Sequence, residues 1–362
     1  MSFHLSFFVA HILIAQIVVA SQPRRVIVST LPAVSLPKSR PPVVLARLIK
    51  LRLLAVVLIF LLGACAERSG TRNTPQWVAG PNVGKLDLMS VDLLDAKTGW
   101  VVGDIDPGGA GGAIYQTTDG CKTWRSITHT DEILTTIHFV NRTTGWVTGL
   151  AGRIERTDDG GLSWKVQRNE REGEPLNGMF FIDERRGWVV GGSGLVLRTT
   201  NGGETWTQTN TGRIEDLWAV RFSSSEHGWI VGENGLILAT TDGGNTWAPQ
   251  TSQTSRALLG LTITPSNVAI AVGEAGTILR GEGGSNWSVV DCALTVTLSS
   301  VAASDKVVIA VGSRGATLES TDEGRSWTAM SALLKRDLNS IDLSDPTHGV
   351  AVGRGGVTQC LQ

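Results

Sequence analysis

The sequence is poor in the residue types on which many enzymes and metalloproteins depend. Its 362 residues include one tyrosine, Tyr115, four cysteines and six histidines. The histidines and cysteines are scattered singly, without the close spacing of a zinc site. We therefore expect no metal ion and no cofactor.

Three cysteines remain after Cys65, namely Cys121, Cys292 and Cys360. An odd number spread over distant parts of the chain does not indicate a disulfide framework. We therefore predict that Cys121 packs as a small residue.

Charge and hydropathy separate the first 64 residues from the rest. Residues 1–64 contain seven basic residues and no acidic residue, which leaves 25 basic and 33 acidic residues and a net charge of about −8 for the remainder. Arg47, Lys50 and Arg52 precede the apolar run 53–62, which is too short for a permanent membrane span. We interpret residues 1–64 as an export segment and 65–74 as a linker, and we expect no nucleic acid partner.

The tetrapeptide LGAC, which ends at Cys65, resembles the bacterial lipobox. This resemblance implies cleavage before Cys65, a lipid on its sulfur, and attachment to the periplasmic or extracellular face of a membrane. An ordinary signal peptide with an incidental cysteine is the alternative. The earlier apolar run 5–20 lacks a basic flank, so it is either a membrane segment or the product of a start codon assigned too far upstream, and we favour the second.

A short phrase of the GWVVG type recurs seven times after residue 75. Its final glycines lie 46, 42, 41, 41, 39 and 41 residues apart, at Gly103, Gly149, Gly191, Gly232, Gly273, Gly312 and Gly353. This interval is the length of four short strands with their turns, which is one blade of a β-propeller. We predict an all-β, seven-bladed propeller over residues 75–362, most simply a monomer.

A second phrase, of the TTDGGNTW type, follows in the same rhythm and resembles the Asp-box, or bacterial neuraminidase repeat. Its acidic or amide side chain can accept backbone N–H groups in a tight turn, and its glycines supply positive φ. We assign a structural role in these boxes to Asp119, Asp159, Asn201, Asp242 and Asp322, and to the tryptophans Trp124, Trp164, Trp206, Trp247, Trp287 and Trp327.

Two features predict how the ring closes and where it is uneven. The seventh repeat ends after its third strand, whereas the segment around Trp77 precedes the first repeat and reads as an outer strand. We therefore expect the amino- and carboxyl-terminal segments to share the last blade. Ile270, Ile309 and Val350 replace the tryptophan of the second strand in the last three repeats, so that side is expected to pack around smaller groups.

The double motif GWxVG and GxIxxTxDGGxTW, repeated over residues 75–362 behind a lipobox, resembles the photosystem II stability and assembly factor family. The resemblance implies a non-catalytic, membrane-anchored propeller that binds a membrane protein client or its C-terminal peptide. In a photosynthetic host it would lie on the lumenal side of the thylakoid membrane.

The family's arginine-rich surface suggests candidate client-binding residues in the loops between blades. They are Arg153, Arg213, Arg256, Arg314, Arg336 and Arg354. Arginine can bind carboxylates in a bidentate manner. Acidic residues share these loops, so a solvated rim of mixed charge is the competing interpretation.

Asp-boxes also occur in sialidases and glucan hydrolases, so the alternative is a cell-surface glycan-binding protein or a sialidase-like glycoside hydrolase. A sialidase uses a tyrosine nucleophile with a glutamate partner, and Tyr115 lies just ahead of a box, where a structural role is favoured. We predict no catalytic residues. Two facing carboxylates at a channel mouth would favour the hydrolase instead.

Overall fold

The computed structural model describes residues 75–84, 86–104, 111–170, 173–292 and 294–362, together with Ala15–Gln16 and Ser29–Thr30. These last two segments form an antiparallel pair of two-residue strands. The proposed export segment, the lipobox and Cys65 otherwise lie outside the described residues. Every other described strand belongs to one of seven four-stranded sheets.

The seven sheets are antiparallel meanders that follow one another along the chain as blades 1 to 7. The inner strands are Leu88–Leu93, Leu134–Phe139, Leu176–Phe181, Leu217–Phe222, Leu258–Ile263, Leu298–Ser304 and Leu338–Asp345. The second strands are Gly99–Asp104, Gly145–Gly149, Gly187–Gly191, Gly228–Gly232, Val268–Gly273, Val307–Gly312 and His348–Gly353. The third strands are Gly112–Thr117, Ile154–Thr157, Val196–Thr199, Ile237–Thr240, Ile278–Glu282, Thr317–Ser320 and Val357–Leu361.

The outer strands are Arg125–Thr130, Lys165–Arg168, Thr207–Thr209, Ala248–Gln250, Ser285–Val289, Thr328–Ala329 and, for blade 7, Trp77–Ala79. Four second-to-third turns contain one 3-10 turn each, at Gly192–Gly194, Glu233–Gly235, Glu274–Gly276 and Ser313–Gly315. The seven-bladed all-β fold predicted from the repeats is confirmed.

The last blade is built from both ends of the propeller. Trp77 pairs with Leu361, Val78 with Cys360 and Ala79 with Gln359, in antiparallel register. The predicted sharing of blade 7 is therefore correct. This pairing covers the outward edge of the third strand, which would otherwise carry unpaired N–H and C=O groups.

The same kind of hydrogen-bond set holds five of the six box turns, at Asp119, Asp159, Asn201, Asp242 and Asp322. The turn at Asp242 is an example. Asp242 Oδ1 accepts the backbone N–H of Thr246 at 3.0 Å, and Oδ2 accepts its hydroxyl at 2.6 Å. Thr240 Oγ1 donates to Asp242 Oδ1 at 2.8 Å and accepts the N–H of Gly244 at 2.9 Å. The box thus satisfies groups that a tight turn leaves without ladder partners.

Stacked aromatic rings join the first four blades. At the contact between blades 3 and 4, Trp188 stacks on Phe222 with centroids 3.6 Å apart, and Trp247 makes an edge-on contact with Phe222 at 5.9 Å. The Trp188 indole also donates to the carbonyl of Gly243 in the next blade's box at 3.0 Å. Equivalent stacks join Trp100 to Phe139 and Trp146 to Phe181, also at 3.6 Å.

Beyond blade 4 the same contacts become aliphatic. Between blades 5 and 6, Ile270 packs in a cluster with Ala303 and Trp327. Between blades 7 and 1, Val350 packs in a cluster with Leu93 and Trp124. The predicted replacement of aromatic by aliphatic packing on this side is confirmed. The last of these aliphatic contacts, between blades 7 and 1, is the one that closes the ring.

A disulfide bond between Cys121 and Cys360 crosses this closing contact, with a Cα–Cα distance of 6.2 Å. The prediction that Cys121 packs as a small residue without a disulfide was therefore wrong. Cys121 occupies the place of the second box glycine and keeps its positive φ of 69°. In blade 4 a Cβ on the equivalent Gly244 would collide with Trp188. Because blade 7 has Val350 where blade 3 has Trp188, a side chain fits at Cys121 and reaches across the contact.

Candidate binding face and central channel

The meander topology places the turns of every blade on two opposite faces. The turns between second and third strands and the connections to the next inner strand share one face, which we call the loop face and which carries Arg213 and Arg314. The Asp-boxes and the turns between inner and second strands share the other, the box face, which carries Asp242 and Arg185. All six candidate client-binding arginines belong to the loop face.

Four of these arginines are without an ion pair among the described residues: Arg213, Arg256, Arg314 and Arg336 have no carboxylate oxygen within 4.0 Å. Three of the four are exposed, and Arg213 is half-buried. Their guanidinium groups are therefore available to a ligand.

The other two are engaged within the protein. Arg153 pairs with Asp131 at 2.9 Å and with the buried Glu155, and only 17% of its side chain is exposed. Arg354 lies 3.5 Å from Asp87 and remains largely exposed. The structure thus distinguishes Arg153 from the other candidates.

Acidic side chains in the same loops hold the backbone of the preceding blade. Asp216 accepts the N–H of Ser193 at 2.9 Å, Asp337 accepts that of Arg314 at 2.8 Å, and Asp87 accepts that of Gly355 at 2.8 Å. Each bond joins the start of one inner strand to the second-to-third turn of the blade before it. The acids that share the loops with the arginines therefore have a structural task of their own.

A channel of about 790 Å³ runs along the inner strands and is lined by residues from all seven. The second residues of the inner strands lie at its loop-face end: Met89, Thr135, Asn177, Trp218, Leu259, Ser299 and Asn339. Asn177 and Asn339 donate to the carbonyls of Leu217 and Leu88 in the next blade, at 3.0 and 2.8 Å. The indole N–H of Trp218 has no partner among the described residues. Met89, Trp218 and Leu259 make the mouth partly apolar.

The third residue of each inner strand is never larger than threonine. These residues are Ser90, Thr136, Gly178, Ala219, Gly260, Ser300 and Ser340. A Cβ on Gly178 would lie 2.7 Å from the carbonyl oxygen of Trp218, so the inner strands approach closely here. Ser340 accepts the N–H of Val91 at 3.3 Å in the next blade. Small side chains are therefore what allows the inner strands to pack around the channel.

Charged side chains gather at the fifth position, towards the box face. Asp92 accepts the N–H of Phe139 at 2.8 Å and lies 3.1 Å from Nδ1 of His138, whose Nε2 lies 3.0 Å from the carbonyl of Phe181. Burial opposes protonation of His138, but Asp92 and the Phe181 carbonyl together raise its pKa. With an acceptor at each ring nitrogen, the imidazolium form fits this site.

Asp342 and Arg221 complete this group. Asp342 accepts the N–H groups of Leu93 and Leu343, at 2.7 and 2.9 Å. Burial and the neighbouring Asp92 raise the pKa of Asp342 to about 6. Arg221 Nη1 donates to the carbonyl of Val220 at 2.9 Å, while its Nε and Nη2 have no hydrogen-bond partner among the described residues.

Sequence reasoning missed this channel because its residues come from different repeats. The signal was present in the strand pattern, because four inner strands carry an ionisable side chain at the same, fifth position: Asp92, His138, Arg221 and Asp342. On the box face, Arg142 pairs with Asp95 at 2.7 Å and Arg186 with Asp183 at 2.6 Å. Lys97 and Arg185 of this face have no ion pair among the described residues.

The sequence matches a known protein family, and the fold matches solved structures. The family model described as photosynthesis system II assembly factor YCF48 matches residues 127–214 and 211–332. A solved structure of YCF48 bound to D1 peptide is 21% identical, with a TM-score of 0.65 over 79% of this chain and 96% of that chain. YCF48 from Cyanidioschyzon merolae is 18% identical, with a TM-score of 0.64 over 79% and 98%.

The glycoside hydrolase GH74 of Niastella koreensis has the same kind of fold at 15% identity. Its TM-score is 0.60, and the match covers 78% of this chain and 53% of that one. No curated protein matches the sequence. Within the described residues, no helix has the length and apolar character needed to cross a bilayer.

Proposed function

Because the chain belongs to the photosynthesis system II assembly factor YCF48 family, we propose that it binds a segment of a client membrane protein without catalysing a reaction. The observation that carries this proposal is the set of four arginines on the loop face without an ion pair. One structural neighbour is described as bound to D1 peptide, which supports a peptide as the ligand class.

Binding would combine a rigid frame with adaptable side chains. The blades and the carboxylate-to-backbone bonds of Asp87, Asp216 and Asp337 fix the loops. The free guanidinium groups then form paired, charge-assisted hydrogen bonds with carboxylates of the client. Arg354 can also bind the client if it exchanges its 3.5 Å contact with Asp87 for a client carboxylate. Arg153 is already paired with Asp131 and Glu155.

The hydrogen bonds that the channel carboxylates accept from the backbone support the proposal that the protein does not catalyse a reaction. Asp92 and Asp342 are the two carboxylates that come together there, and each accepts backbone N–H groups of the next blade. A hydrolase needs two carboxylates whose oxygens reach the substrate and a water molecule. Here the oxygens hold blades together.

We further propose export and attachment to a membrane by a lipid on Cys65. The Cys121–Cys360 disulfide supports an oxidising compartment, where such bonds persist. Growth with a labelled fatty acid tests this: the label should enter the chain, and Cys65→Ser should abolish it and release the protein from membranes. Label retained in Cys65→Ser would overturn the lipid anchor.

The client proposal is tested by capture from detergent-solubilised membranes. The Arg256→Glu/Arg336→Glu double variant should lose captured membrane proteins that the wild type retains. The matched control is Lys97→Glu/Arg185→Glu, which changes the net charge equally but on the box face. Equal loss in both variants, or loss in neither, would remove the loop-face arginines from the mechanism.

A further inference from the structure

We propose that the central channel receives the free carboxylate of a polypeptide C-terminus, with Arg221 as its partner. This inference rests on the proposed function, because it assigns the C-terminus of the client to a second binding site, in addition to the arginines of the loop face. It concerns side chains of the inner strands, whereas the proposed function concerns the loops.

The dimensions of the channel suit a chain end. Trp218 lies at the mouth and Arg221 three residues further along the same strand, which corresponds to about 10 Å. An extended peptide advances by about 3.3 Å per residue, so its last three residues span this path. An internal segment that enters through the same mouth would have to bring two chains into the channel side by side.

Arg221 is held in place with donors to spare. Its Nη1 donates to Val220, and its guanidinium lies 5.8 Å from the centre of the Phe180 ring. The described residues contain no carboxylate oxygen within 4.0 Å of it. A planar group fixed on one side, with Nε and Nη2 unused, matches the two oxygens of a carboxylate.

The surrounding charges permit an anion at this place. Asp92 is matched by His138, whose two ring nitrogens both face acceptors. Asp342 and Asp92 attract Arg221 at longer range, but the oxygens of Asp342 are turned to the N–H groups of Leu93 and Leu343. A ligand carboxylate therefore supplies the direct, hydrogen-bonded contact that Arg221 lacks.

The mouth offers apolar surface to the side chains that precede the carboxylate. Met89, Trp218 and Leu259 lie at this end of the channel. Apolar contact and a few directed polar groups are the usual composition of a pocket that fixes a ligand's orientation.

The experiment presents the protein with an equimolar mixture of two pools of random decapeptides, one ending in a free carboxylate and the other in a carboxamide. Retained peptides are quantified by mass spectrometry. The wild type should retain the acid form about tenfold over the amide form, which corresponds to one strong charge-assisted interaction. Arg221→Gln should bring the ratio close to one, and Arg221→Lys should preserve part of it.

The loop-face variant separates this inference from the proposed function. Arg256→Glu/Arg336→Glu should lower retention of both pools and leave their ratio unchanged. A ratio near one in the wild type, or an unchanged ratio in Arg221→Gln whose melting temperature matches the wild type, would overturn the channel site alone. Absence of any retention would overturn both proposals.

Discussion

Reduction of the Cys121–Cys360 disulfide should destabilise the propeller by several kcal/mol. The bond spans a sequence separation of 239 residues, and the chain-entropy relation for a loop of that length gives about 5 kcal/mol as the contribution at 25 °C. The closing contact has Val350 and Leu93 where blades 3 and 4 have stacked rings, so little else compensates. With a slope of about 3 kcal/mol per molar urea, the midpoint should fall by about 1.7 M.

The assay is urea unfolding with and without a thiol reductant, followed by tryptophan fluorescence. Cys121→Gly and Cys360→Ala should both be insensitive to reductant. Cys121→Gly should be the more stable of the two by about 1 kcal/mol, because glycine adopts the positive φ at this position without strain. Cys292→Ala, which removes the free buried cysteine, is the matched control and should respond like the wild type.

One result would refute this reasoning. If the reductant shifts the urea midpoint of the wild type no more than it shifts the midpoint of Cys121→Gly, the disulfide does not stabilise the ring. A thiol titration under denaturing conditions checks the premise, since reduction should expose two additional thiols.

Three further predictions concern the blades. Trp146→Ala should cost about 4 kcal/mol and Ile309→Ala about 3 kcal/mol in urea unfolding, because both side chains are fully buried; equal effects would contradict the uneven packing. The Thr246 hydroxyl and backbone N–H lower the pKa of Asp242 to about 2, so its stabilisation is complete above pH 4 and is lost as the pH falls through 2. Asp242→Asn should flatten that decline in melting temperature, and a parallel curve would argue against it. Ala275→Gly should raise the stability by about 1 kcal/mol, since Ala275 has a φ of 50°; a lower melting temperature would count against strain there.

The sequence was sufficient for the fold because every blade repeats the same local instructions. The spacing of Gly103, Gly149 and their successors set the blade length, and Trp77 indicated the shared blade. Short-range turn chemistry and strand alternation determine these features, and both can be read from neighbouring residues.

The candidate site was harder to predict from the sequence because it depends on distances between residues of different repeats. Whether Arg213 or Arg153 is free depends on acids brought close by folding, although the pairing of Arg153 with Glu155, two residues away, was visible in principle. The disulfide was missed because Cys121 resembles a substituted box glycine. The room for its side chain becomes apparent only in the folded ring, where Val350 of blade 7 lies at the position that a tryptophan occupies in blade 3.

The gradient from aromatic to aliphatic contacts has a consequence for biogenesis. Synthesis begins at the amino terminus, so the blades joined by tryptophan–phenylalanine stacks are the first that can assemble. Cys360 lies on the third strand of blade 7, and the disulfide therefore cannot form until this blade has been made. A chain that stops before Cys360 keeps Cys121 as a free thiol, so the reactivity of this thiol distinguishes unfinished chains from closed rings.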